Sequence, residues 1–228
     1  MELKLEEFSR CLDMPATTIE RWIRQGRIPV KRLGNTCIFS DTAIRKWAED
    51  HNLHYHSPGE KQCEDRSEKL ETLTEAMDRG GVYYDIPGSS VEEVLDAAVS
   101  RMQNIETHED RQVLYDSLVA REQMMSTGIG NGVAIPHPRT PLSRKGIPAQ
   151  IAACFPEKPV DYNAVDKKPV HALFILVAKT SNEHLHLLSR ISYCLRDHEF
   201  LGLLSEIPRP ETLRNKIAEF DEHLNGRC

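Results

Sequence analysis

One histidine, His137, stands between two prolines in residues 127–142, TGIGNGVAIPHPRTPL. Proline neighbours restrict the backbone on both sides, so the imidazole has little conformational freedom. An imidazole is the side chain whose unperturbed pKa lies near neutrality, so it can serve as both nucleophile and leaving group there. Three glycines, Gly128, Gly130 and Gly132, alternate just upstream. Alternate glycines let backbone N–H groups come close to an anion. The stretch therefore points to a histidine that holds a phosphoryl group, with Gly130, Asn131 and Gly132 as candidate phosphate-binding positions. The bland alternative is a surface or hydrogen-bonded core histidine beside an ordinary Gly-Asn-Gly turn. The glycine spacing is not the dinucleotide fingerprint, and no G-K-[ST] follows to make a nucleotide P-loop.

The surrounding elements must deliver His137 to its partners. Residues 133–135 are apolar and read as a strand. Residues 68–77 read as a helix ending before Gly80-Gly81, and residues 82–86 as a strand. Ser90-x-x-Glu93 is a capping box, followed by Val91, Val94, Leu95, Ala98 and Met102 along one helical face. The next helix starts near His108 and turns Val113, Leu114 and Leu118 inward. Arg121 lies seven after Leu114, so it shares that inward side and needs a partner there. It reads either as a phosphate clamp or as a surface arginine with a packed stem. Residues 150–155 and 170–178 are strands, the second nearly all apolar, as a strand covered on both faces should be. Ser181 or Asn182 then caps a helix whose inner stripe is Leu187, Leu188, Ile191 and Leu195. His184 shares that face in the first turn, where free N–H groups and the dipole favour an anion; a core histidine is the other reading. Pro210 opens the last helix, with Leu213, Ile217 and Phe220 buried.

Residues 68–228 resemble the enzyme IIA component of the bacterial phosphotransferase system, in its fructose–mannitol and nitrogen-regulatory class. The likeness rests on three separated places: T-G-I-G-N-G running into I-P-H, with Arg121-Glu122 upstream; residues 160–177, VDYNAVDKKPVHALFILV; and Asn182-Glu183-His184-Leu185 at a helix start. It implies that His137 takes a phosphoryl group from a phosphohistidine on an HPr-type carrier protein. It also implies that His184 is the second active-site histidine and Arg121 the active-site arginine. The domain would then be a phosphohistidine intermediate in a transfer relay, not a free-standing turnover enzyme, and needs no cofactor, nucleotide or metal.

The first fifty residues have a different character. Leu5, Phe8 and Leu12 recur at helical spacing until Asp13-Met14-Pro15. A second helix starts near Ala16 and buries Ile19, Trp22 and Ile23. Its other face carries Thr17, Arg21 and Arg24, with Thr18 beside them, and Gly26 ends it. Residues 30–39 read as a hairpin turning at Gly34-Asn35, and Ser40-Asp41 caps a short helix with Ile44 and Trp47. Helix, tight turn, helix and small wing is a DNA-reading arrangement. Thr17, Thr18, Arg21 and Arg24 would meet bases and phosphates, and Lys31 and Arg32 an adjacent phosphate. The segment resembles the excisionase and MerR-type winged helix-turn-helix, through RWIRQGRIPVKRLGN and D-x-x-I-x-x-W. It departs in residues 35–40, which lack the arginines often found in that wing. A protein-docking module is the competing reading.

Charge distribution agrees with two jobs. The net charge is −6, which disfavours nucleic-acid binding by the whole chain. Yet residues 15–35 hold five basic side chains against one acidic, whereas residues 68–228 hold 18 basic and 24 acidic. The six cysteines form no C-x-x-C pair, and several sit in apolar runs as reduced core residues do. No apolar signal region or membrane-length run is present, so a soluble cytoplasmic protein is expected. Residues 51–67 read as a linker, and His51, His54 and His56 within it lack zinc-site spacing.

The expected fold is α/β: a small winged helix-turn-helix at 1–50, a linker at 51–67, and a IIA-like domain at 68–228 with a mixed sheet flanked by helices. The expected function is a transcriptional regulator that binds double-stranded DNA and accepts a phosphoryl group on His137; helix-turn-helix modules usually work as dimers, which makes a homodimer a candidate form, though no residue identifies its interface. The alternative is a phosphocarrier component of a sugar phosphotransferase system whose N-terminal module docks protein.

Overall fold

The computed structural model describes residues 8–9, 11–12, 16–33, 36–50, 70–142 and 147–225. The chain divides into two compact units, 1–68 and 69–228. The expected linker histidines and the Gly34-Asn35 turn lie outside the described residues.

In the first unit, α1 (Ala16–Arg24) leads to an antiparallel hairpin, β1 (Val30–Leu33) and β2 (Thr36–Phe39), then to α2 (Asp41–Asp50). Apolar spacing sets the packing: Phe8, Leu12, Ile19, Ile28, Ile44, Trp47 and Ala48 form one small core. Trp22 meets Trp47 edge-on, with ring centroids 6.0 Å apart. The end of α1 is a Schellman motif. Gly26 takes φ +67°, its N–H reaches the Ile23 carbonyl, and the Arg27 N–H reaches Trp22. Glycine fits because a left-handed residue there pays no Cβ penalty.

The second unit is a five-stranded mixed sheet between two helix layers. Its strands are β3 (Val82–Ile86), β4 (Gly128–Gly130), β5 (Val133–Ala134), β6 (Gln150–Pro156) and β7 (Ala172–Val177), in the spatial order β3-β6-β7-β5-β4. β3 runs parallel to β6 and β5 parallel to β7; β6–β7 and β4–β5 are antiparallel. The helices are α3 (Leu73–Gly80), α4 (Val91–Arg101), α5 (His108–Met124), α6 (Ser181–Cys194), α7 (His198–Ser205) and α8 (Pro210–Asn225). Every residue of β6 and β7 is buried. Ile151, Ala153, Phe155, Phe174 and Leu176 face α3, α6, α7 and α8. Ala152, Cys154, Leu173, Ile175 and Val177 face α4 and α5. This two-sided burial is why the strands read as continuous apolar runs.

Several boundaries differ from the sequence reading. The first helix begins at Leu73, not at residue 68, because Thr72 and Glu75 close a reciprocal capping box. It also runs on to Gly80, where an added Cβ would lie 2.1 Å from the Ile151 carbonyl oxygen. The glycine lets the helix rest directly on the β6 backbone. The cap of α6 is Thr180, not Ser181 or Asn182. The short helix α7 and the strand β4 were not foreseen. α3 is capped from a distance as well. The buried Asp221 of α8 accepts from the Leu73 and Thr74 N–H groups at 3.1 and 2.8 Å and pairs with Arg190 at 2.6 Å. A carboxylate at a helix N-terminus satisfies N–H groups that have no intrahelical partner.

Candidate functional site

Three elements converge where β5 and β7 end. After β5 the parallel pairing continues for a residue, with the Leu176 N–H reaching the Pro136 carbonyl at 2.9 Å. Pro136 and Pro138 are buried and His137 between them is half-buried. Its Nδ1 lies 2.7 Å from the Ile135 carbonyl oxygen. A carbonyl can only accept, so Nδ1 carries the proton and the neutral ring keeps its lone pair on Nε2. Burial is the main cause that pushes the His137 pKa below its ordinary value; Arg121 adds to the fall, while the Ile135 carbonyl and Glu122 oppose it. The ring is therefore neutral, with an open nucleophilic nitrogen, at pH 7.

His184 reaches this ring from the first turn of α6, with ring centroids 5.1 Å apart and tilted by 55°. Burial, with His137 and Arg121 nearby, pushes its pKa down to about 4. Arg121 stands in the last turn of α5, half-buried, and gives one N–H to the Met125 carbonyl at 2.7 Å. A guanidinium has five donors, so this bond holds the group without exhausting it. His137, His184 and Arg121 are thus brought together. Leu185, next to His184, and Met124 and Met125, shortly after Arg121 at the end of α5, are exposed apolar side chains.

The glycine turn is placed elsewhere. Gly132 accepts from the His171 and Ala172 N–H groups at the start of β7, while Pro136 pairs with Leu176 near its end. Four residue steps along the chain separate the two points, roughly 13 Å in extended backbone. Gly130, Asn131 and Gly132 all take positive φ, and the resulting concavity holds an anion of the protein's own. The Asp166 carboxylate accepts from the Asn131 N–H at 2.8 Å and from the Lys168 N–H at 3.1 Å. These two bonds hold its carboxyl below the usual carboxylate range. Gly130, Asn131 and Gly132, expected at the phosphoryl group, thus lie at the start of β5 against Asp166, while His137 follows its end. Gly132 serves packing: a Cβ there would lie 2.2 Å from the His171 ring. Beside the turn is an open cavity of about 490 Å³ lined in part by Lys168, His171, His198 and Gly202.

Two residues beside His137 were missed in the sequence. Glu122 accepts from the Thr127 N–H at 2.9 Å and from the Thr127 hydroxyl. Thr127 in turn receives the Ile135 N–H on its carbonyl at 3.1 Å. The signal was available as Arg121-Glu122 and the threonine opening the glycine run, but spacing alone did not join them.

In the first unit Thr17, Arg21, Arg24 and Arg27 are exposed, Thr18 is half-buried, and Ile19 on the opposite face is buried. Lys31 and Arg32 lie in β1 opposite Ile38 and Cys37; their side chains are outside the described residues. Among the described residues no group of His, Cys, Asp and Glu could hold a metal ion, and no helix is long and apolar enough to cross a membrane.

Comparison with known proteins bears on both units. The family described as "Phosphoenolpyruvate-dependent sugar phosphotransferase system, EIIA 2" matches residues 75–220, and "Helix-turn-helix domain" matches residues 2–52. A nitrogen regulatory protein of Pseudomonas aeruginosa is 34% identical over 149 residues, covering 64% of this chain and 95% of that one. A fructose-specific EIIABC component of Bacillus subtilis is 31% identical over 152 residues, covering 66% of this chain and only 24% of that longer protein. The crystal structure of the nitrogen regulatory protein IIA-Ntr of Neisseria meningitidis superposes with a TM-score of 0.53 at 29% identity. It is covered over 98% of its length and matches 64% of this chain.

Proposed function

The chain belongs to the phosphotransferase-system EIIA 2 family and carries a helix-turn-helix domain at its N-terminus, and from that premise we propose that it is a DNA-binding transcriptional regulator whose His137 accepts a phosphoryl group. The observation that carries this reading is the Nδ1–H bond to the Ile135 carbonyl, which leaves Nε2 as the open nucleophile beside His184 and Arg121. The donor is a phosphohistidine on a histidine phosphocarrier of the HPr type. The His137 Nε2 lone pair forms the new N–P bond as the donor's P–N bond breaks, and that electron pair returns to the donor imidazole. Such a transfer needs positioning and charge neutralisation more than covalent help. The Arg121 guanidinium meets the phosphoryl oxygens. His184, neutral at pH 7, donates one hydrogen bond to them without adding a charge. Met124, Met125 and Leu185 give the carrier an apolar landing surface around the histidines.

The DNA half of the proposal is supported by the exposed row Thr17, Arg21 and Arg24 on α1, opposite the buried Ile19, with the exposed Arg27 just beyond the helix end. Arginines of that helix would read base edges, with Lys31 and Arg32 of the hairpin on phosphates. We place the working boundaries at 1–50, 51–67 and 68–228, with a cytoplasmic setting and a homodimer as the DNA-binding form.

Incubation with phosphoenolpyruvate, enzyme I and HPr tests the acceptor: an acid-labile, base-stable phosphoprotein is expected, and none from His137→Ala. Equal labelling of that variant removes His137 from the mechanism. A binding-site selection with the full chain at low salt tests the DNA half. Phosphate acceptance without any preferred DNA site would favour the other reading, a phosphocarrier component whose N-terminal module docks protein.

A further inference from the structure

We propose that Glu122 is a positioning residue for His137: through Thr127 and the Ile135 carbonyl it fixes the imidazole with Nδ1 protonated and Nε2 open, and its carboxylate is the counter-charge for the ring as phosphoryl transfer makes it positive. The proposal rests on the reading of His137 as phosphoryl acceptor.

The connection is a chain of three consecutive links. The Glu122 carboxylate takes both the N–H and the hydroxyl of Thr127, which is 5% exposed. The Thr127 carbonyl takes the Ile135 N–H. The Ile135 carbonyl takes the His137 Nδ1–H. Each link pins one residue of the β4–β5 segment, so the last carbonyl is held at the place the imidazole needs. Without Glu122, the Thr127 N–H at the mouth of the glycine run loses its partner, and the register that sets the Ile135 carbonyl loses its outer brace.

The charge argument is separate from the geometry. Before transfer the His137 ring is neutral, with a proton on Nδ1. As Nε2 bonds to phosphorus the ring gains positive character, and Nδ1–H becomes a stronger donor to Ile135. The charged groups that act on the ring are Arg121, which disfavours positive charge there, and Glu122, which favours it. Arg121 is required at the phosphoryl oxygens, so the ring sits beside a cation that opposes its own charging. Glu122 follows Arg121 directly in the last turn of α5 and offsets that opposition. This gives a physical reason for a carboxylate at a site that binds an anion.

The test uses the full chain, with imidazole ¹³C and ¹⁵N NMR and rapid-quench transfer from phosphorylated HPr. In the wild type the neutral His137 should be the Nδ1–H tautomer. Glu122→Gln keeps an oxygen for the Thr127 N–H and an amide N–H that the Thr127 hydroxyl can accept, but removes the charge. It should keep the tautomer, lower the pH midpoint of His137, and slow transfer about 10-fold with little change in the apparent affinity for HPr. Glu122→Ala removes both, so the tautomers should mix and transfer should slow about 100-fold. Thr127→Val removes only the hydroxyl link, so it should admit less of the other tautomer and lower the midpoint less than Glu122→Ala does, and Thr127→Ser should restore the single tautomer. The proposal is overturned if Glu122→Gln leaves midpoint and rate as in wild type, or if Glu122→Ala leaves one tautomer while only thermal stability falls. Should the alanine variant not fold, the glutamine variant decides. Absence of phosphate on wild-type His137 would instead sink the acceptor reading, and the NMR tautomer and midpoint would still judge Glu122.

Discussion

Replacing Gly132 by alanine separates a glycine kept for packing from one kept for phosphate. Gly132 sits at φ +73°, and an added Cβ would lie 2.2 Å from Cε1 and Nδ1 of His171. The left-handed backbone costs an L-residue about 1–2 kcal/mol. Forcing the ring aside adds ~1–3 kcal/mol, the usual range for overpacking. Gly132→Ala should therefore lose roughly 2–5 kcal/mol of stability. Removing the ring removes the clash but not the backbone strain. In a His171→Ala background the same substitution should cost only about 1–2 kcal/mol. Urea unfolding followed by tyrosine signal or circular dichroism measures this in the second unit. Tryptophan fluorescence does not, because Trp22 and Trp47 both lie in the first unit. The phosphoryl-transfer rate of folded Gly132→Ala should match wild type, since the turn is at the far end of β5 from His137. A 10-fold or greater loss of rate with unchanged stability would refute this reasoning and return the turn to the phosphoryl site.

His184→Ala and Arg121→Ala should each slow phosphoryl transfer about 100-fold without abolishing it, the usual loss when one donor to a developing charge is removed; rapid-quench rates equal to wild type would remove the proposed role. Asp221→Ala strips a buried partner from Arg190 and from the start of α3, and should cost about 3–5 kcal/mol in denaturant unfolding. Below pH 6.5 the chain should lose stability as pH falls: the His184 pKa is about 4 in the folded protein against an ordinary 6.5, so the unfolded chain takes up that proton first. His184→Gln should flatten the slope between about pH 6.5 and 4, and an unchanged slope would mean that the imidazole is not buried neutral. Arg24→Ala should cost about 1–3 kcal/mol of specific DNA binding and relax sequence preference, as read in a competition binding assay across sites.

The placement of His137, His184 and Arg121 was easier to read from the sequence than what fills the turn. His137, His184 and Arg121 were legible because each combines a position in an element with a side chain that chemistry restricts. One histidine is locked by prolines at a strand end, another occupies a helix's first turn, and an arginine lies on an inward helical face. The glycine run was legible as an anion cradle, and the structure has one. What spacing could not say is which anion fills it, because Asp166 is 35 residues away from Asn131 along the chain. The same limit hid Asp221, which caps α3 across 148 residues. Helix starts were misjudged where several candidate caps lay together. Thr180, Ser181 and Asn182 all favour the position, and only the fold selects Thr180. Strands β6 and β7 announced themselves as apolar runs, while β4, three residues with two glycines, has no periodicity to read.

If phosphorylation of His137 is to change DNA occupancy, magnitudes restrict how. The phosphoryl group adds about −1.5 to −2 charges to a region that already holds 24 acidic against 18 basic side chains. At physiological salt the Debye length is about 8 Å, so exposed charges farther apart than that scarcely interact. Charge addition alone then acts on the arginines of α1 only at close range, and any such effect must fade as salt rises. A conformational route has no such requirement. Transfer places charge among His184, Arg121 and Glu122, all on helix ends next to the sheet, and a shift of those ends would persist at high salt. The salt dependence of the difference between phosphorylated and unphosphorylated chain, measured apart from the salt dependence of binding itself, therefore distinguishes the two routes. Counterion release from DNA is common to both forms and cancels in the ratio.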